Sequence, residues 1–322
     1  MNIGGAFRRM SKKQPRLQIV SRGPASGVQR QGRARQGEPE ARKVSGRWLL
    51  SALALTISAA ALCAWCTLCL LFWQGSWQLL YHPSAAVTRT PANVGLAFDS
   101  VAFEVSDAGL PQIKGWWIPA EAGAPYRRFT VIDLHGRQGN LSDTVDALAQ
   151  LHAVGLNVLA FDYCGYGQSR FVRPSEAHWL EDAGSALQYL TATRHIDPSA
   201  IVLDGEGLGA NLALEVAAAH SELAGVVLES PAQAPMNAIF LDPRAKLVPA
   251  HLLVRDRYDL DAAAAEVRVP VLWFAREGAA KQPEAYSRIE ARKMLVWLGP
   301  QATSGKQFQD AMRRWLDQLP NS

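Results

Sequence analysis

A chain of 322 residues that is 48% hydrophobic and 19% charged is too apolar for wholesale disorder and too charged for a polytopic membrane protein. Its net charge of +4 is unevenly spread, because residues 1–47 hold twelve Lys/Arg against Glu38 and Glu40, a balance of +10 that leaves −6 for the rest. The basic excess therefore belongs to one end, and with no nucleic-acid recognition motif beside it no nucleic-acid partner is expected.

In chain order, residues 1–47 are basic, contain Gly and Gln and have almost no aromatic side chain. Such a segment cannot bury enough apolar surface to fold and reads as a disordered cytoplasmic tail. Residues 48–73 carry no charge in 26 positions. As a helix they would extend about 39 Å, against a hydrocarbon core of about 30 Å, and they read as a transmembrane helix whose partner is the lipid bilayer. The cations before it place the N-terminus in the cytoplasm by the positive-inside rule, which sends residues 74–322 across the membrane, to the periplasm in a two-membrane envelope. A cleaved signal peptide fits poorly, since the preceding tail is long, the apolar run exceeds the usual length and no A-x-A site follows. A lipoprotein is equally disfavoured, because Cys63, Cys66 and Cys69 follow Leu62, Trp65 and Leu68 rather than small residues. The downstream domain keeps only Cys164, so no intradomain disulfide is available.

After a junction at 74–84, short β-branched runs alternate with longer Ala/Leu-rich amphipathic ones. Strands are expected at 101–105, 113–118, 129–134, 157–162, 200–203, 225–228, 269–274 and 294–298, and helices at 141–153, 175–193, 208–220, 283–292 and 306–319. That alternation gives fold class α/β, with a mostly parallel eight-stranded sheet and flanking helices. Residues 232–261, interrupted by Pro235, Pro243 and Pro249, read as a small lid excursion within the single domain 74–322.

Residues 201–210, Ile-Val-Leu-Asp-Gly-Glu-Gly-Leu-Gly-Ala, are an apolar strand entering a Gly-dense turn that opens a helix. In shape this is a nucleophile elbow, written G-x-S-x-G because the central residue is backbone-strained and needs small neighbours. Here the pattern is G-E-G-L-G, with Gly207 at the nucleophile position.

From about Leu79 to Leu319 the chain resembles the serine aminopeptidase-like group of the α/β-hydrolase fold family. Leu80-Tyr81-His82-Pro83 is similar to the family's "YxP" and Gly115-Trp116-Trp117-Ile118-Pro119 to its "GWWxP". His135-Gly136-Arg137-Gln138-Gly139-Asn140-Leu141-Ser142 resembles the "HGNxGNLS" oxyanion loop, and Asp162-Tyr163-Cys164-Gly165-Tyr166-Gly167-Gln168-Ser169 resembles "DYRGYGxS". Leu228-Glu229-Ser230-Pro231 and Val269-Pro270-Val271-Leu272 complete the ordered series. The resemblance implies oxyanion-loop and pocket roles for His135, Gly136, Arg137 and Leu208.

It also implies a triad whose places look vacated. Gly207 replaces the serine, Ala279 falls where the aspartate belongs, and Ala302 lies at or next to the histidine, within one residue of register. The histidines are His82, His135, His152, His178, His195, His220 and His251, so none follows the last strand, where a Ser-His-Asp enzyme of this fold carries its general base. Neither metal-ligand spacing nor the G-x-G-x-x-G of a dinucleotide site is present, so no metal and no cofactor is expected.

Two readings follow. The chain is a membrane-anchored pseudohydrolase that binds an acyl or peptide ligand or a protein partner, or it is an atypical esterase, thioesterase or peptidase with an unrecognised catalytic set. In the second, the lid could carry His251 to the pocket; Cys164 has no visible base to activate it, Glu206 beside Gly207 has no nucleophile to activate, and Glu229, an alternative acid, matches the family's non-catalytic "ESP".

Overall fold

The computed structural model describes residues 44–105, 111–276, 282–299 and 305–320. The chain divides into two units, Met1–Leu55 and Thr56–Ser322. The described part of the first is residues 44–55, helical from Gly46. Of the disordered tail expected at residues 1–47, residues 1–43 lie outside the described residues, and Gly46 and Arg47 already belong to the helix.

Helix α1 runs Gly46–Gly75, bracketing the uncharged stretch. A 3-10 turn at Ser76–Leu79 leads to a two-residue strand, β1 (His82–Pro83). Then come β2 (Asp99–Val105), β3 (Pro111–Ile118), β4 (Thr130–Leu134), β5 (Gln138–Gly139), α2 (Leu141–Val154), β6 (Asn157–Asp162) and α3 (Glu176–Gln188). The second half holds β7 (Ile201–Glu206), α4 (Leu208–Ala219), β8 (Gly225–Glu229), α5 (Asn237–Phe240), α6 (Ala250–Leu253), α7 (Leu260–Glu266), β9 (Val271–Arg276), α8 (Glu284–Arg288), β10 (Lys293–Leu298) and α9 (Lys306–Leu316).

Eight strands form one sheet in the order β10-β9-β8-β7-β4-β6-β3-β2. Its ladders from β10 to β6 are parallel, while β3 is antiparallel to both β6 and β2. The sheet is buried on both faces, as parallel sheets are, which is why the central strands read as continuous apolar runs rather than alternating ones. One face packs Ile132, Leu203, Leu228 and Trp273 with residues of α3, α4 and α7. The other packs Val131, Val202, Val227 and Phe274 against α2 and α9.

The expected elements are present, with differences at their ends. The run at 175–193 is α-helical only to Gln188 and closes as a π turn over Tyr189–Thr193. The helix expected at 283–292 shrinks to α8, because the Lys293 ammonium donates to the carbonyls of Tyr286 (2.9 Å) and Ile289 (2.6 Å) and ends it early. The strand expected at 269–274 pairs two residues later, at Val271–Arg276. Residues 232–261 leave the sheet as expected, as short helical pieces.

The motifs fasten the chain around the C-terminal ends of the parallel strands. The Tyr81 hydroxyl donates to Asp256 Oδ2 (2.7 Å) and lies 2.9 Å from the Tyr258 hydroxyl, tying the start of the domain to the end of the lid. Asn140 caps α2 through its side-chain oxygen, which accepts from Ser142 N–H. Its Nδ2 donates to the carbonyls of Ser84 and Ala86. Gly115 is required by close approach, since a Cβ there would lie 2.4 Å from the carbonyl oxygen of Ala160.

Candidate functional site

The turn between β7 and α4 is built on two contacts that exclude side chains. A Cβ on Gly205 would lie 2.4 Å from the carbonyl oxygen of Gly209, and one on Gly209 would lie 2.0 Å from that of Leu134. The helix can therefore start almost on top of the sheet. Between them Gly207 takes φ 56° and ψ −113°, a conformation costly for an L residue. Its N–H donates to Glu229 O (2.9 Å), and its carbonyl accepts from Ala232 N–H (3.2 Å). Asn211 holds the same loop twice, donating to Ala232 O and accepting from Ala232 N–H, both at 2.9 Å.

A Cβ on Gly207 would meet nothing within 4 Å. The direction in which an elbow side chain would point is open, and it opens into a cavity of about 710 Å³. The cavity brings together His135, Gly136, Arg137 and Leu208 with Gly207, and adds Glu206, Asp143 and residues Ala238 and Leu241 of the excursion at 232–261. Leu208 is the first residue of α4, where backbone N–H groups have no intrahelical acceptor and the helix dipole favours negative charge. The floor can thus receive a polar or anionic group of a ligand. Ala279 and Ala302 lie outside the described residues.

His135 is structural. Its ring is packed 4.5 Å from that of Tyr163 and 5.3 Å from that of Tyr166, and its Nδ1 donates to the Gly136 carbonyl (2.8 Å). Burial pushes its pKa down to about 4, so the ring is neutral at pH 7 and its 3.8 Å approach to Asp162 is not an ion pair. Arg137 contributes its carbonyl to the scaffold, accepting from the Tyr166 hydroxyl (2.9 Å) and from His82 N–H (2.9 Å). Cys164 is buried, and desolvation pushes its thiol pKa up, with the charge of Asp182 adding to the effect. A low-pKa thiolate nucleophile is the opposite case. His251 does not line the cavity; it is exposed on α6 with its ring 4.1 Å from that of Phe240.

A feature absent from the expectations is a group of acids beneath the elbow. Asp133 of β4 is in register with Asp204 of β7, and Glu206 of β7 with Glu229 of β8. Asp133, Asp204 and Glu229 follow Val131, Val202 and Val227 by two residues, and Glu206 follows Asp204 by two, so all four carboxyls sit on the face that carries α2 and α9. Asp133 Oδ2 and Asp204 Oδ1 have no hydrogen-bond partner. Burial first, and the neighbouring charge of Glu206 second, push Asp133 up to about 7 and Glu229 up to about 8. Asp204 is raised well above the carboxylate range by burial and then by Glu229.

These shifts fix a sign. Between the unfolded carboxyl pKa near 4 and the folded values near 7 to 8, the folded chain binds more protons than the unfolded one, so stability falls as pH rises through that window. Thermal or denaturant unfolding should show the domain more stable at about pH 5 than at about pH 8 by a few kcal/mol, since each unit is worth about 1.4 kcal/mol. Asp204→Asn should flatten that slope. A stability that rises over this interval would contradict the cluster's assignment.

Residues 126–276 match the serine aminopeptidase (S33) family of hydrolases. An uncharacterised protein of Mycobacterium tuberculosis is 31% identical over 257 residues, covering 76% of this chain and 88% of its own length. The uncharacterised protein YfhR of Salmonella typhimurium is 32% identical over 205 residues, 60% of this chain and 67% of its own. Mouse alpha/beta hydrolase domain-containing protein 17C is 30% identical over 122 residues, 38% of each chain. An esterase of Pyrococcus furiosus superposes with a TM-score of 0.57 at 16% identity, covering 75% of this chain and 99% of its own, a likeness of fold. With this sheet order and a strand–turn–helix elbow in one molecule, the chain belongs to the serine aminopeptidase-like group of the α/β-hydrolase family.

Proposed function

We propose that the chain is a membrane-anchored, non-catalytic pseudohydrolase that uses the elbow cavity to bind an acyl or peptide ligand, or the surface around it to hold a protein partner. The observation that carries this reading is Gly207, which keeps the strained elbow backbone with open space where a serine Oγ would sit. A glycine adopts that backbone at less cost than serine, so the turn is kept while its nucleophile is absent. In a Ser-His-Asp hydrolase of another fold, losing the nucleophile costs about a million-fold in rate. The cavity volume falls within the range of about 300–1,000 Å³ of small-ligand sites, which supports binding. The competing reading, an atypical hydrolase based on His251, is not favoured by the outward position of that ring.

In the same proposal α1 is the anchor, with the N-terminus cytoplasmic and the domain outside the cytoplasm. Its support is one helix long and apolar enough to cross a bilayer, with twelve cations before the uncharged run. A reporter active only outside the cytoplasm, fused to the C-terminus, should be active; activity of a cytoplasm-only reporter there would overturn the orientation. The purified full chain, assayed with short- and long-chain acyl esters, thioesters and amino-acyl amides, should turn over none of them above a heat-denatured control. Saturable turnover would refute the pseudohydrolase reading.

A further inference from the structure

Resting on the membrane reading above, we infer that the lid is a second membrane contact, docked through its leucines on the outer leaflet of the bilayer that α1 crosses. The Trp65 indole N–H donates to the carbonyl of Leu247, in the lid turn Pro243–Leu247 (3.1 Å). Trp65 comes 17 residues after Trp48, where the uncharged run begins. At 1.5 Å per residue that is about 26 Å along the axis, just inside the far boundary of a hydrocarbon core of about 30 Å. On one side the next two turns meet protein, since Leu68 and Cys69 pack against the domain core and Phe72 is buried in it, while Leu70, Leu71 and Trp73 stay exposed on the other. The hydrogen bond therefore holds the lid at the level where hydrocarbon gives way to headgroups.

At that level the lid is apolar on the outside. Beyond α1 and its approach, the large apolar side chains exposed among the described residues are Phe171, Leu241, Leu247 and Leu252, and three of these four belong to the lid. Leu252 is 83% exposed and Leu247 60%, values that an aqueous surface would leave unrewarded. Lys246 and Arg255 stand among them, with stems long enough to reach a headgroup phosphate. Between α1 and α6 runs a groove of about 350 Å³, lined by Cys66, Cys69, Leu70, Trp73, Leu252 and Arg255. Its apolar walls and one guanidinium match the acyl chain and phosphate of a membrane lipid. Phe240 of α5 rests on His251 of α6, and the neighbouring Leu241 borders the elbow cavity, which places the mouth of that cavity beside the same leaflet.

The test uses the full chain in phosphatidylcholine–phosphatidylglycerol vesicles that carry nitroxide quenchers on both the upper and the lower acyl chain. Cys63, Cys66 and Cys69 are replaced by alanine, Cys164 is buried, and single cysteines labelled with a fluorophore are introduced by Ile57→Cys, Leu252→Cys or Glu121→Cys. Ile57 lies within the uncharged run, and Glu121 lies after β3 at the opposite end of the sheet from the elbow. The label at position 252 should be quenched at least about threefold more strongly than that at 121, as expected for a segment seated at the headgroup–acyl boundary. Strong quenching at 57 with 252 no different from 121 would overturn the docking and leave the anchor standing. Absence of quenching at both 57 and 252 would remove the membrane reading and the docking with it.

Discussion

The arrangement of this domain depends on how closely α4 approaches the sheet. At Gly205 and Gly209 the backbones of β7, α4 and β4 meet with no room for a Cβ. That approach aims the first turn of α4, with its unpaired N–H groups, at the floor of the cavity. It also leaves Gly207 at the apex with its backbone hydrogen-bonded to β8 and to Ala232. Hydrolase chemistry needs one atom more than this geometry, the Oγ that the apex lacks. The two flanking glycines answer to packing, whereas the central one answers only to a positive φ.

Behind the turn, Asp133, Asp204, Glu206 and Glu229 share one face of three adjacent strands. Like charges so close in a dry interior cannot all ionise, so the raised carboxyls are held protonated near neutrality by burial and by one another. The arrangement sacrifices stability as pH rises and sets Glu206, exposed in the cavity lining with Asp143, beside a bed of protonated carboxyls.

Much of the fold was legible because the elements that position the site are those with strong local signals. Apolar β-branched runs located the eight strands, the glycine spacing located the elbow, and the missing histidine after the last strand was visible without alignment. Element ends were less legible where a distant side chain decided them, as Lys293 does for α8. The acid cluster was legible only in part. Asp133 and Asp204 stand out as charges inside apolar runs, but their meeting depends on the register of β4 with β7, which no local pattern fixes. The lid illustrates the same limit, since its prolines marked the excursion while the bond from Trp65 to Leu247 joins residues far apart in sequence.

The central claim is that the elbow carries no nucleophile, and the most direct measurement is the intact mass of the purified full chain after exposure to an alkyl fluorophosphonate, which forms a covalent bond with an activated serine. The account predicts an unmodified mass under conditions that fully label an active serine hydrolase. A stoichiometric phosphonyl adduct on any residue lining the cavity would contradict it and would identify the nucleophile that the glycine at position 207 does not supply.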